Sequence, residues 1–437
     1  MSAPLWIQQA EGWCASVENS SAGVMLIGAV VTLGNALVYR ALRKRLKDVR
    51  KRRALADPLQ WTLAFIYWLL LAPMVVMAVA GHAGAHLVHH GLPTPLAVAG
   101  MAFQFAVWVY GGVLLLAWLP GRLAVGLRRL RRALNSERPS LPMEAELADA
   151  ERRQLLRKVA FGVPAVIVTT AAVGGVESQR PPVVKRVQQR VGKDSGHLRG
   201  FRIVQFSDVH IGSYLERDRL GEITTAINSL RPDMVVCTGD LIDNDVEQLE
   251  QAQRCLRNLK SSRGTYMCMG NHEYIAAQGS ERTVKEAYKQ AGATMLVDEA
   301  HRIDVGGAHF WLGGTDFPGV AGGVLGDRPT TRESMNRVLA DMDDDGRPRI
   351  VLAHHPKTFF EARERQIDLM LSGHTHGGQI SLGRIEDCEL TPNLPFEFYH
   401  KGWYDHHGRH LYVNSGIGSW LPVRLNCPPE ITLIELV

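Results

Sequence analysis

Five short polar blocks, Asp208-Val209-His210, Gly239-Asp240, Gly270-Asn271-His272-Glu273, His354-His355-Pro356 and Gly373-His374-Thr375-His376, each follow an apolar run of strand length. The runs are Phe201 to Phe206, Met234 to Cys237, Tyr266 to Met269, Ile350 to Ala353 and Leu369 to Leu371. They are rich in branched and aromatic side chains that suit a pleated, buried surface. Helical patterns fall between or beside them at Arg217 to Leu230, Val246 to Lys260, Glu281 to Ala291 and Lys357 to Ile367. Strand alternating with helix predicts a layered α/β domain. Loops past the strand ends of such a sheet collect along one edge, so Asp208 and His376 can meet despite their separation in the chain. Glycines 239, 270 and 373 are expected to let the backbone turn sharply at these ends.

The blocks combine carboxylate, amide and imidazole. That mixture suits Mn, Fe or Zn, whereas a Mg or Ca cage is nearly all oxygen. A carboxylate shared between two such ions bridges them, and a two-metal clamp grips both the attacking and leaving oxygens of an in-line displacement. Phosphoester hydrolysis is therefore the expected reaction class. One D-x-H or G-D pair is commonplace at a turn or helix cap, but five blocks in order after five strands are not.

The order D-x-H, G-D-x-x-D, G-N-H-E, a later His, then G-H-T-H resembles the calcineurin-like metallophosphoesterase superfamily over roughly Arg202 to Val437. Ser207 to Gly212, Gly373 to Gln379, Tyr412 to Gly418 and Pro428 to Ile431 resemble its bacterial membrane-associated branch, which is similar to UDP-2,3-diacylglucosamine hydrolase-like phosphodiesterases. The resemblance implies a four-layer α/β/β/α sandwich. It gives one divalent ion to Asp208, His210, Asp240 and His376, and a second to Asp240, Asn271, His354 and His374, with Asp240 bridging. His355 stands where the family usually has no ligand, which leaves two neighbouring histidines for one place. His272 matches the histidine that contacts phosphate and protonates the leaving oxygen, with a hydroxide between the metals as attacking group. Glu273 or Asp243 is expected to orient a ligand.

The first part of the 437-residue chain reads differently. Ala22 to Tyr39, Trp61 to Val79, Leu96 to Leu119 and Val159 to Val176 are apolar runs of about 18–24 residues, enough to cross a hydrocarbon core as helices. Arginine and lysine crowd the segments 40–53 and 120–158, whereas 1–23 and 81–95 contain neither. The charged segments are expected in the cytoplasm, which leaves the C-terminal half outside it after four crossings. Arg152-Arg153 before the fourth run also resembles a twin-arginine export signal. The expected organisation is a membrane region over 1–176, a linker with an edge strand over 177–200, and a metallophosphoesterase domain over 201–437, placed in a bacterial inner membrane and facing the periplasmic or extracellular side.

The net charge of +5 owes much to those loops, so it speaks for membrane topology and not for nucleic acid. The expected partners are a phosphoester substrate, lipid-linked or from the cell envelope, and the membrane itself. The rival from another class is a membrane sensor or scaffold that binds a phosphorylated ligand with little turnover. Cys237 and Cys268 read as buried free thiols within strands. Asp316, in the glycine-rich stretch 313–326, either helps orient the site or simply makes a turn. The run Asp341, Asp343, Asp344 and Asp345 reads as a solvated turn.

Overall fold

The computed structural model describes residue 170 and residues 173–437, leaving aside 193–195, 213–214, 216–218, 319–328, 386–387, 392, 394–396 and 420–422. The first three apolar runs and their basic loops lie outside the described residues, as does the fourth except for its last few positions. Among the described residues no helix is long and apolar enough to cross a membrane.

Strands β1 (Val183–Gln189), β2 (Arg202–Phe206), β3 (Met234–Cys237), β4 (Thr265–Met267), β5 (Ala293–Met295) and the C-terminal β14 (Glu430–Leu436) form one mixed sheet. Its order is β1-β14-β2-β3-β4-β5, with β2 to β5 parallel and β14 antiparallel to β2. A second mixed sheet contains β6 (Glu299–Val305), β7 (Ala308–Gly314), β8 (Arg349–Leu352), β9 (Leu369–Ser372), β12 (Gly402–His406) and β13 (Arg409–Val413), in the order β12-β13-β9-β8-β7-β6. A short antiparallel ribbon, β10 (Arg384–Ile385) with β11 (Cys388–Glu389), stands beside them.

The period of two in these strands decides the layering. Ile203, Met234 and Val236 join Ile350, Leu352, Leu369, Leu371 and Phe310 in one apolar cluster, so the two sheets meet face to face. The alternate residues Val204, Phe206, Val235 and Cys237 pack instead with the helices α1 (Arg219–Ser229), α2 (Leu249–Arg257), α3 (Asn271–Ala277) and α4 (Glu281–Gln290). On the far side, Val351, Met370 and Leu411 pack with α5 (Thr331–Ala340) and α6 (Phe359–Ala362). Covered on both faces, the central strands read as mainly apolar runs because neither side meets water.

Several helices differ in extent from the sequence expectation. The stretch 357–367 is a single 3-10 turn, Pro356–Thr358, followed by the four-residue α6, because the chain must return to β9. The stretch 246–260 likewise opens with a 3-10 turn, Val246–Gln248, and ends its helix at Arg257. Apolar periodicity alone does not mark α5, whose start is fixed by a capping box between Thr330 and Glu333. Cys237 and Cys268 are buried free thiols, as are Cys255 and Cys427.

One polar cluster lies between the sheets. The wholly buried Glu430 accepts hydrogen bonds from the hydroxyls of Tyr412 at 2.6 Å and Thr432 at 2.7 Å, and pairs with Lys185 of β1 at 2.5 Å. A buried carboxylate is tolerable only when so fully paired. Glu430→Ala strands three partners and opens a cavity; it is expected to cost about 2–4 kcal/mol, read as a drop in the thermal unfolding midpoint.

Candidate metal centre

Strands β2, β3 and β4 of one sheet and β8 and β9 of the other release their chains at a common edge, and the five polar blocks start there. Gln205, buried at the last pair of β2, bonds Thr238 Oγ1 at 3.1 Å and the Ser372 carbonyl at 2.9 Å, tying both sheets together just below the blocks. Asp208, His210, Asp240, His374 and His376 all take positive φ, between 49° and 72°. Side chains other than glycine adopt this left-handed region at a cost of order 1–3 kcal/mol each, and such strain gathers at functional sites.

Close approach, more than turning, is what two of the glycines provide. A Cβ on Gly373 would stand 2.0 Å from Ser207 Oγ and 2.3 Å from Asp208 Oδ2, and one on Gly270 would stand 2.0 Å from Asp240 Oδ1. Of the three expected turn glycines only Gly239 has positive φ, at 95°. Ile417 and Gly418 complete the floor by donating their N–H groups to the carbonyls of Ser207 and Asp208 at 3.0 and 2.7 Å.

The seven side chains expected as ligands come together in two neighbouring groups that share Asp240. In the first, His210 Nε2 lies 3.1 Å from His376 Nε2 and 3.7 Å from Asp240 Oδ2, while His376 Nε2 lies 3.5 Å from Asp208 Oδ1. In the second, His354 Nε2 lies 3.1 Å from Asp240 Oδ2, 3.2 Å from Asn271 Oδ1 and 3.1 Å from His374 Nδ1. The Asn271 oxygen is also 3.1 Å from His374 Nδ1.

The far nitrogens of three rings face acceptors: His210 Nδ1 meets Asp243 Oδ1 at 2.9 Å, His376 Nδ1 meets the Gly418 carbonyl at 3.2 Å, and His354 Nδ1 meets the Thr238 carbonyl at 2.6 Å. Each of these nitrogens is thereby given a proton, which aims each Nε2 into the site, where a neutral ring offers its lone pair. Two neutral rings whose lone pairs face each other at 3.1 Å, as His210 and His376 do, repel unless a proton or a metal cation stands between them. The donor set thus fits a pair of divalent ions of the Mn, Fe or Zn type.

The buried charges act strongly on one another. Burial works against ionising Asp240, yet His354 and His272 hold its carboxyl well below the usual range. Burial raises Asp208 even though His354 faces it, and the Asp240 carboxylate raises it further. Burial opposes the charged form of His354 as well, but Asp240 lifts that ring to about 9. Burial and His354 push His374 down to about 3.

Around these groups lies a supporting layer. Asp243 also meets His272 Nδ1 at 3.2 Å, so one carboxylate orients two imidazoles. Glu273, wholly buried, accepts the N–H groups of Gly270, Asp240 and Leu241 at 2.8–2.9 Å and so holds the loops after β3 and β4. Asp316 accepts from the Tyr274 hydroxyl and from the Phe317 N–H, and the Phe317 ring sits 5.7 Å from His374 and 5.8 Å from His354. His355 stays outside both groups, with Nε2 3.5 Å from Glu397.

Arg424, Phe317 and Glu397 escape sequence reasoning because each arrives from an irregular loop with no motif around it. Arg424 is wholly buried, donates to the carbonyls of Gly416, Gly418 and Cys427, and sets Nη2 3.3 Å from His376 Nδ1.

A profile of the calcineurin-like phosphoesterase family matches residues 201–378. The uncharacterized metallophosphoesterase YkuE of Bacillus subtilis is 32% identical over 300 residues, which span 65% of this chain and 97% of that protein. The chain belongs to the calcineurin-like metallophosphoesterases. An uncharacterized metallophosphoesterase of Helicobacter pylori is 34% identical over 239 residues, covering 54% of this chain and 60% of its own length. A further metallophosphoesterase relative, UDP-2,3-diacylglucosamine pyrophosphatase LpxG of Chlamydia trachomatis, is 28% identical over 301 residues, covering 58% of this chain and 88% of that one.

Two outcomes follow from the crowding. Asp208→Asn removes a buried charge facing Asp240, so the metal-free protein should gain about 1–2 kcal/mol, seen as a rise of a few degrees in its unfolding midpoint with chelator present. Gly373→Ala displaces Asp208 and should lower metal affinity at least tenfold by titration calorimetry, without loss of the far-ultraviolet dichroism.

Proposed function

We propose that this metallophosphoesterase is a membrane-tethered, two-metal phosphodiesterase, with one divalent ion held by Asp208, His210, Asp240 and His376 and the other by Asp240, Asn271, His354 and His374. The observation that carries the reading is the 3.1 Å approach of His210 Nε2 to His376 Nε2, both with their Nδ1 atoms committed elsewhere. Bound there, such ions supply Lewis acidity toward phosphate oxygens and an acidified water.

The chain's own residues do the rest. Asp240 faces both groups and sets their separation. Asp243 and the Thr238 and Gly418 carbonyls fix the rings whose lone pairs point inward. Phe317 shields the His354 and His374 side from water. His272 is a fifth exposed at the mouth, and Asp243 holds its Nδ1, which leaves Nε2 to donate a proton to the leaving oxygen. Burial disfavours its charged form, but Asp240 and Asp243 raise it to about 10, so without metals it carries that proton at neutral pH.

The apolar runs in 1–176 and the basic loops between them support anchoring in a bacterial membrane with this domain on the outer side. The name of the Chlamydia relative supports a lipid-linked substrate, and membrane anchoring favours a phosphodiester at the lipid surface or in the cell envelope.

Full-length protein in detergent, loaded with Mn, should hydrolyse an aryl phosphodiester faster than the matching monoester, and chelation should stop turnover until Mn is restored. Asp240→Asn should abolish both turnover and metal retention; full activity in that variant contradicts the assignment. His272→Ala should keep its metals and lose about 10²–10⁴-fold in kcat. A raised His272 is protonated below its pKa, so activity should fall as pH rises toward about 10, and earlier with metals bound because each dication opposes the imidazolium. His272→Ala should flatten that alkaline limb.

A further inference from the structure

We propose that the metal-centre edge of the domain rests on a lipid bilayer surface, through a lip built from the β10–β11 ribbon and Phe398. The inference rests on the membrane anchoring just proposed and names the surface that this anchoring presses against the site.

Strand register carries the first step. Val183, the first residue of β1, pairs with Glu430, and two residues later in β14 Thr432 pairs with Gln205. The start of β1 is therefore level with the end of β2 that leads into Asp208, and the chain coming from the apolar runs joins the sheet at the metal-centre edge. The buried Arg219, at the start of α1 on that same edge, donates to the Arg180 carbonyl and pins the approach. From Val176, the last residue of the fourth apolar run, to Val183 is seven residues. That length reaches at most about 25 Å when fully extended. A bilayer that holds the run cannot lie far from the site.

Exposure carries the second. Among the described residues, the most exposed large apolar side chains of the domain itself, 177–437, belong to segments that leave the metal-centre edge. Leu382 is 72% exposed, Ile385 62% and Phe398 50%, and Val183 and Val184 add to them. Single exposed apolar residues need no explanation, but several gathered on one edge mark a contact surface. The lip springs directly from the centre: Ser381 and Leu382 follow His376 by a few residues, and Thr375 hydroxyl bonds the His400 carbonyl beyond Phe398.

The third observation is the type of side chain. Arg384 lies over the Tyr404 ring at 5.0 Å, Tyr404 meets Tyr399 at 4.9 Å, Tyr399 meets Phe398 at 4.9 Å, and Arg363 lies over Phe360 at 4.8 Å. The buried Tyr399 and Tyr404 rings brace the lip from beneath, while its exposed parts are the apolar tips of Leu382, Ile385 and Phe398 with the Arg384 guanidinium beside them, a combination that suits the headgroup layer, where apolar tips meet acyl chains and a cation meets phosphates.

The test uses the full chain in liposomes of phosphatidylcholine with a minor fraction of phosphatidylglycerol. Single variants Ile385→Cys, Phe398→Cys and Val437→Cys, in a Cys14→Ser, Cys388→Ser background, receive an environment-sensitive fluorophore. Lipids carrying a spin label near the headgroup should quench positions 385 and 398 several-fold more than 437. Adding Leu382→Asp to Ile385→Asp should remove the quenching at 398 and leave turnover of a soluble aryl phosphodiester unchanged. Equal quenching at all three positions, in protein that resists alkaline carbonate extraction, overturns the docking and leaves the anchoring intact. Blue-shifted but unquenched labels also overturn it, because a second copy or the chain's own apolar part then covers the lip. Release by carbonate overturns the anchoring and the docking together.

Discussion

Mutual repulsion among buried lone pairs and carboxylates is the constraint around which this domain is arranged. Four imidazoles, two aspartates and one asparagine are held within contact of one another where parallel strands of two sheets end. Attraction between Asp240 and the His354 ring offsets only part of the cost of that cluster: five of its residues adopt left-handed backbone angles, and its charges are out of water. The sandwich beneath it supplies the compensation. An apolar layer between the sheets, and the Gln205 link from β2 to Thr238 and Ser372, fix the strand ends so firmly that the loops cannot relax.

The same constraint explains the supporting residues. Glu273 accepts three backbone N–H groups and the Tyr288 hydroxyl, because the loops after β3 and β4 carry Asp240 and Asn271 and cannot form ordinary turns. Asp243 binds two histidines at once, so His210 within the cluster and His272 beside it are coupled through one group. Arg424 places a guanidinium behind His376, among carbonyls that point away from solvent. Each is a polar group buried at some cost, and each is satisfied by the loop it stabilises.

Much of the domain's central architecture was legible in the sequence, for reasons the packing makes plain. Strands covered on both faces are mainly apolar, so β2, β3, β8 and β9 announce themselves, and the titratable residues clustered just beyond them point to chemistry. The seven side chains singled out there do converge. Less legible was whatever depends on close approach between distant segments. Gly270 and Gly373 look like turn residues in sequence but are small because Asp240 and Asp208 press against them. Arg424 and Phe317 come from loops whose conformation no local pattern encodes, and α6 is shorter than its apolar periodicity suggests because the return to β9 ends it.

The central claim is that this cluster exists to hold two cations, and metal stoichiometry tests it most directly. Full-length protein purified without chelator, then dialysed and analysed by inductively coupled plasma mass spectrometry, should retain two equivalents of Mn, Fe or Zn per chain. Retention of less than one equivalent in protein whose fold is intact would contradict the account, because the repulsion among these side chains would then have no partner to relieve it.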